Sequence, residues 1–278
     1  MRVLLRILLI AAALVCLLAA SARADTAQSS NWAGYAAHRP GVRFNNVLAH
    51  WTQPRASCVR GRRTYSAVWV GLGGFNASSN ALEQIGTEVD CTASGRVASS
   101  AWYELVPAPS QSIRMSVRPG DQLSASVGVS GSSVTLVLRD SSTHRSFRKT
   151  LRAAAIDVSS AEWIVEAPSE CISDNICQTL PLANFGSATF SLAAARSVAG
   201  HSGSISDSRW DSTQIRLTPT GQHFVLYNDA LSVAVPSALA NGGRSFRVTF
   251  ANVAVRGNPL LRARQASLRD GYINHARH

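Results

Sequence analysis

The sequence predicts an all-β chain folded as an antiparallel β-sandwich. Short apolar runs recur along it, separated by Gly, Pro, Ser and Asn, and no helical periodicity is sustained before the C-terminus. Several runs alternate apolar with small polar residues, the pattern of strands that bury one face and wet the other. With 278 residues, 46% hydrophobic and only 15% charged, the chain can enclose a substantial core.

In chain order, Arg2 and Arg6 precede an apolar run over 7–20 and the small-residue end Ala22-Arg23-Ala24. These are the three parts of a secretory signal peptide over 1–24, cleaved after Ala24. The run is short for a bilayer span, so a secreted protein, extracellular or periplasmic, with no membrane association is expected. A short polar lead then meets Asn31-Trp32-Ala33-Gly34-Tyr35 with no room for a propeptide. Strands are expected over 47–51, 64–72, 82–89, 99–106 and 112–117, each closed by turn residues. The clearest hairpin joins 123–129 to 134–138 through Ser130-Gly131-Ser132-Ser133, since Leu123, Ala125, Val127 and Val129 alternate with Ser or Gly. Later strands are expected over 162–166, 187–192, 213–217, 224–227 and 246–255. No repeat or linker divides 25–255, which reads as one domain; the Arg-rich segment 256–278 reads as a tail without chemistry.

Removing the signal takes Cys16 and leaves Cys58, Cys91, Cys171 and Cys177. An even number in an exported chain implies two disulfides, and nearest-partner pairing gives Cys58–Cys91 and Cys171–Cys177. No CxxC pair and no histidine spacing marks a metal site, and no cofactor motif is present. The formal charge of +11 falls to +8 once Arg2, Arg6 and Arg23 leave with the signal. Those cations are scattered and lack interleaved aromatics, which argues against a nucleic-acid partner. A monomer is expected.

The polar groups set in apolar strands draw attention. Ala161-Glu162-Trp163-Ile164-Val165-Glu166 puts Ala161, Trp163 and Val165 on one face and Glu162, Ile164 and Glu166 on the other. A carboxylate beside Ile164 and ahead of Ala167-Pro168 is expected to be partly desolvated, which raises its pKa and suits it to acid or base work. The same six residues also fit a plain strand with a polar face. Glu104 in Ala101-Trp102-Tyr103-Glu104 and Gln84 in Leu82-Glu83-Gln84-Ile85-Gly86 are the other such groups. HExxH, GxSxG, the paired Asp-Thr-Gly and the P-loop are all absent.

Six motifs, in order, carry a resemblance: Trp69-Val70-Gly71-Leu72-Gly73-Gly74, Leu82-Glu83-Gln84-Ile85-Gly86, Ala101-Trp102-Tyr103-Glu104, Pro119-Gly120-Asp121, Ala161-Glu162-Trp163-Ile164-Val165-Glu166 and Leu182-Ala183-Asn184-Phe185-Gly186. The chain resembles the glutamic peptidases, the eqolisin or G1 family of pepstatin-insensitive acid endopeptidases. The resemblance implies two curved antiparallel sheets, concanavalin-like, with a substrate cleft on one side. It also implies protein or peptide substrates and no cofactor or metal. Glu166 would be the general base on water and Gln84 the oxyanion stabiliser, with Trp69, Glu104 and Trp102 lining the cleft.

The chain departs from the fungal members at several points. Gly73 stands where they carry an acid, Pro107-Ala108-Pro109 replaces a Pro-Asp ending, and the cysteines are placed differently. Such departures fit a bacterial branch. The competing reading is a glycan-binding or glycoside-hydrolysing sandwich with Glu104 and Glu166 as its carboxylate pair, and Trp69 and Trp102 stacking on sugars. That reading leaves Gln84 without a role.

Overall fold

The computed structural model describes residues 25–76, 78–173, 176–218 and 230–254. The expected signal peptide, the strand at 224–227 and the tail lie outside the described residues. Within them the chain is all-β. One arm of a continuous sheet holds, in hydrogen-bonded order, β10 (Arg145–Arg152), β9 (Ser133–Asp140), β8 (Gln122–Ser130), β3 (Phe44–Thr52) and β14 (Ser187–Ser197). β18 (Phe246–Ala254) and β17 (Ala230–Pro236) carry the ladder onward. The second arm is β16 (Asp211–Leu217), β2 (Trp32–His38), β11 (Ser160–Glu166), β4 (Ala67–Leu72), β5 (Leu82–Cys91), β6 (Val97–Val106) and β7 (Gln111–Ile113). The arms fold over one another, with β3, β8 and β14 against β4, β5 and β11, so the sandwich is two layers of one sheet.

The core between the layers follows from alternation. Leu123, Ala125 and Val127 of β8 point inward with Val134, Leu136 and Leu138 of β9, and Tyr35, Trp51, Trp163 and Phe190 fill the centre. Each large side chain withdrawn from water in this way contributes about 1.5–3 kcal/mol. The polar ends of the core aromatics are satisfied across the layers: Trp163 Nε1 donates to the Leu48 carbonyl at 2.9 Å, and Trp51 Nε1 to Thr87 Oγ1 at 3.2 Å. A disulfide joins Cys58 to Cys91, closing a loop of sequence separation 33.

Several expectations change. The polar lead carries a strand: β1 (Asp25–Ser29) pairs parallel with β16. β2 and β10 were not expected; Arg145, Arg148, Lys149 and Arg152 mask the β-pattern of β10, whose charge suits an exposed sheet edge. The strand expected over 112–117 shortens to β7, and the one over 187–192 runs on to Ser197 through a bulge where Leu192 takes a positive φ of 52°. β12 (Ser169–Ser173) and β13 (Ile176–Thr179) form a separate hairpin in which Cys171 and Cys177 are register partners, while their side chains lie outside what the structure describes.

Two glutamates are buried without full pairing. Glu83 points into the core face of β5, and burial, the largest cause, pushes its carboxyl up to about 8. Glu162 lies on the opposite face of the sheet, fully buried, and burial, only partly opposed by the Ser160 side chain, raises it well above the usual range. Both stay protonated in the folded chain at pH values where the unfolded chain has released the proton. Stability from Glu83 is therefore whole below 4.5 and falls as pH climbs to about 8. Thermal unfolding followed across that range is expected to show a falling Tm, with a flatter slope in Glu83→Gln.

Candidate active site

The site is built on the outward face of the second arm. Pairing places Glu166 between Trp32 and Ala67, Ile164 between Gly34 and Trp69, and Glu162 between Ala36 and Gly71. Across the next strands Gly71 faces Gln84, which faces Glu104, and Trp69 faces Gly86, which faces Trp102. One face thus gathers Trp32, Glu166, Trp69, Gln84, Glu104 and Trp102. Their apolar ground is a second cluster, separate from the core, that includes Trp69, Leu82, Trp102, Ile164 and Ile215.

Trp69 is fully buried, and two glycines make room for it. A Cβ at Gly86 would stand 2.5 Å from Trp69 Cβ, and one at Gly71 would stand 2.9 Å from its six-membered ring. A side chain at either position would collide with Trp69. Trp32 packs edge-on against it, centroids 5.0 Å apart.

The indole N–H of Trp69 donates to Glu166 Oε2 at 2.7 Å. Asn31 Nδ2 donates to Glu166 Oε1 at 3.0 Å, and the Asn31 amide is itself oriented by Ser29 Oγ, which donates to its Oδ1 at 3.0 Å. Both carboxylate oxygens of the half-buried Glu166 are thereby held. Burial raises its pKa to about 7, opposed by the donors Trp69, Trp32 and Asn31 and reinforced by the charge of Glu104.

Gln84, 4% exposed, donates from Nε2 to Glu104 Oε2 at 2.6 Å, while its Oε1 has no partner among the described residues. That bond fixes the amide: its nitrogen keeps a second hydrogen and its oxygen remains an acceptor. Burial raises Glu104, and the Gln84 bond lowers it. No hydrogen bond joins Glu166 to Gln84 among the described residues. Glu104 acts on Glu166 through its charge.

A protein-family profile described as the Peptidase A4 family matches residues 30–231. The chain belongs to the Peptidase A4 family. It is similar in structure to a scytalido-glutamic peptidase solved with a peptide-based transition-state analogue, at a TM-score of 0.61 and 23% identity over 80% of this chain and 99% of that one. It is also similar to SCP-B, described as a member of the eqolisin family and solved with the tripeptide Ala-Ile-His, at 0.57 and 22% over 80% and 99%. These likenesses speak for the fold. No curated protein matches.

In this Peptidase A4 member all five expected site residues share one face, as pairs: Glu166 with Trp69, and Gln84 with Glu104. Trp102, 7% exposed and with no partner for its indole N–H among the described residues, lies in the apolar ground beside them. Glu162, its sequence companion Glu166 notwithstanding, is sealed away from the open part of the face. Asn31 was missed; nothing in a lone asparagine near the start of the domain marks it, and only the β2–β11 pairing brings it to Glu166. Among the described residues no cluster of three or more His, Cys, Asp and Glu is gathered to hold a metal.

These contacts predict opposite responses. Glu104→Gln removes the charge that raises Glu166, so the acid limb of the pH–rate profile is expected to move to lower pH. Trp69→Phe removes a donor that favours the ionised form and is expected to move the limb higher. Paired pH profiles of kcat/KM on one peptide check both signs.

Proposed function

We propose that the chain is a secreted glutamic endopeptidase, independent of metals and insensitive to pepstatin, that hydrolyses peptide bonds in proteins. The observation that carries this reading is the Glu166 carboxylate, held at both oxygens by Trp69 and Asn31 and raised by burial. In the ionised form Glu166 takes a proton from a water molecule as the water oxygen attacks the scissile carbonyl. The carbonyl oxygen becomes an oxyanion, and the second Nε2 hydrogen of Gln84 donates to it. Glu166 then hands its proton to the leaving nitrogen as the C–N bond breaks, and returns to the carboxylate.

The raised carboxyl also sets the working range. A base must be ionised, so activity falls as pH drops through the value near 7. An unperturbed glutamate would place that limb near 4.5, so this chain works nearer the weakly acid and neutral range. At the other end, ionisation of buried Glu83 weakens the fold as pH nears about 8.

Cleavage of a denatured protein from about pH 3 to 8, the span over which carboxylates and His titrate, tests the reading with pepstatin and a chelator present. Wild-type cleavage is expected to survive both reagents. Gln84→Ala is expected to lose about 10²–10³ in kcat, the usual effect of one oxyanion donor, and Glu166→Gln to lose all measurable activity while remaining folded. Full activity in either variant would remove that residue from the mechanism.

A further inference from the structure

The connection between β4 and β5 turns through Gly73 and Gly74, both at positive φ, and no side chain of its own fills the space beside Gly73. Asp157 fills it. A Cβ built on Gly73 would stand 2.5 Å from Asp157 Cβ and 2.8 Å from its Cγ, so a carboxyl from the segment before β11 occupies the place of a side chain at 73.

The carboxylate is fully engaged there. Its Oδ2 accepts from Gly74 N at 3.1 Å and from Ser79 Oγ at 2.5 Å, and its Oδ1 accepts from Ser159 N at 2.8 Å. Ser79 Oγ in turn accepts from Ala81 N at 3.4 Å, one residue before β5 begins. The connection also carries Phe75, which stacks on His38 at 4.6 Å and packs against the apolar ground of Trp69 and Leu82. A Gly-Gly turn has more conformational freedom than any other, so a connection that starts with one needs an external tie to hold a single geometry.

We propose that Asp157 is a positioning residue: it fills the space beside Gly73 and clamps the β4–β5 connection, which sets where Gln84 meets the reacting carbonyl. Gln84 lies three residues beyond Ala81 on the strand this clamp starts. The hydrogen bonds outweigh burial and hold the Asp157 carboxyl below its ordinary value. The inference rests on the peptidase reading above and assigns Asp157 no contact with substrate.

The test measures kcat, KM and Tm for Asp157→Ala, Ser79→Ala, Gln84→Ala and the double variant Asp157→Ala/Gln84→Ala on one peptide. Misplacement of a catalytic group by an ångström costs up to about a hundredfold. Asp157→Ala is expected to lower kcat by about tenfold or more with KM little changed, and Ser79→Ala to act in the same direction. In the Gln84→Ala background the Asp157 change is expected to add nothing, because it acts through Gln84. Wild-type kcat in Asp157→Ala, or losses that multiply in the double variant, would overturn the proposal. Should Asp157→Ala fail to fold, Ser79→Ala with and without Gln84→Ala decides by the same comparison. Full activity in Gln84→Ala alone would instead sink the peptidase mechanism, so the two failures are distinct.

Discussion

The site depends on one balance, the burial of the Glu166 carboxylate against the donors that hold it. A hydrogen bond to a charged group is worth about 1.5–3 kcal/mol, and one pH unit of titration corresponds to about 1.4 kcal/mol. Donors of that size matter on the scale of a titration, yet burial is the larger effect and leaves Glu166 raised to about 7. With burial alone the group would be a protonated acid at neutral pH. With the donors in open water it would be an ordinary, weakly basic carboxylate. The structure holds it between these limits, where it is both ionisable and a stronger base than a free glutamate.

That balance reaches back into the backbone. Trp69 can offer its N–H to Glu166 only because Gly71 and Gly86 leave the face bare on either side of it. Asn31 reaches the other oxygen only because β2 pairs with β11 in the register that sets Trp32 beside Glu166. A slip of one residue in that pairing would turn Glu166 into the core and Val165 outward. The core aromatics Trp163 and Tyr35, on the reverse face of the same strands, make such a slip costly.

Much of this was legible beforehand. Period-2 alternation is local, so the hairpin of β8 and β9 and the two faces of β11 could be read directly from the residues. The pairing of Cys58 with Cys91 followed from proximity in sequence. What could not be read is what arises between distant strands. Trp69 and Glu166 are 97 residues apart, and Asn31 and Glu166 are 135 apart. No local pattern encodes such contacts. Among the strands that went unseen, β10 carries a masking charge and β1 has its pairing partner, β16, far along the chain. Nothing local sets Asp157 beside Gly73; the fold brings the two together.

The most direct measurement is the titration of the Glu166 carboxyl itself, by carbon NMR of protein labelled at the glutamate side-chain carboxyl and assigned by difference from Glu166→Gln. A midpoint near 7 that coincides with the acid limb of kcat/KM is the result expected of a buried, donor-held base. A midpoint at the ordinary glutamate value, or a limb that ignores it, would contradict the account.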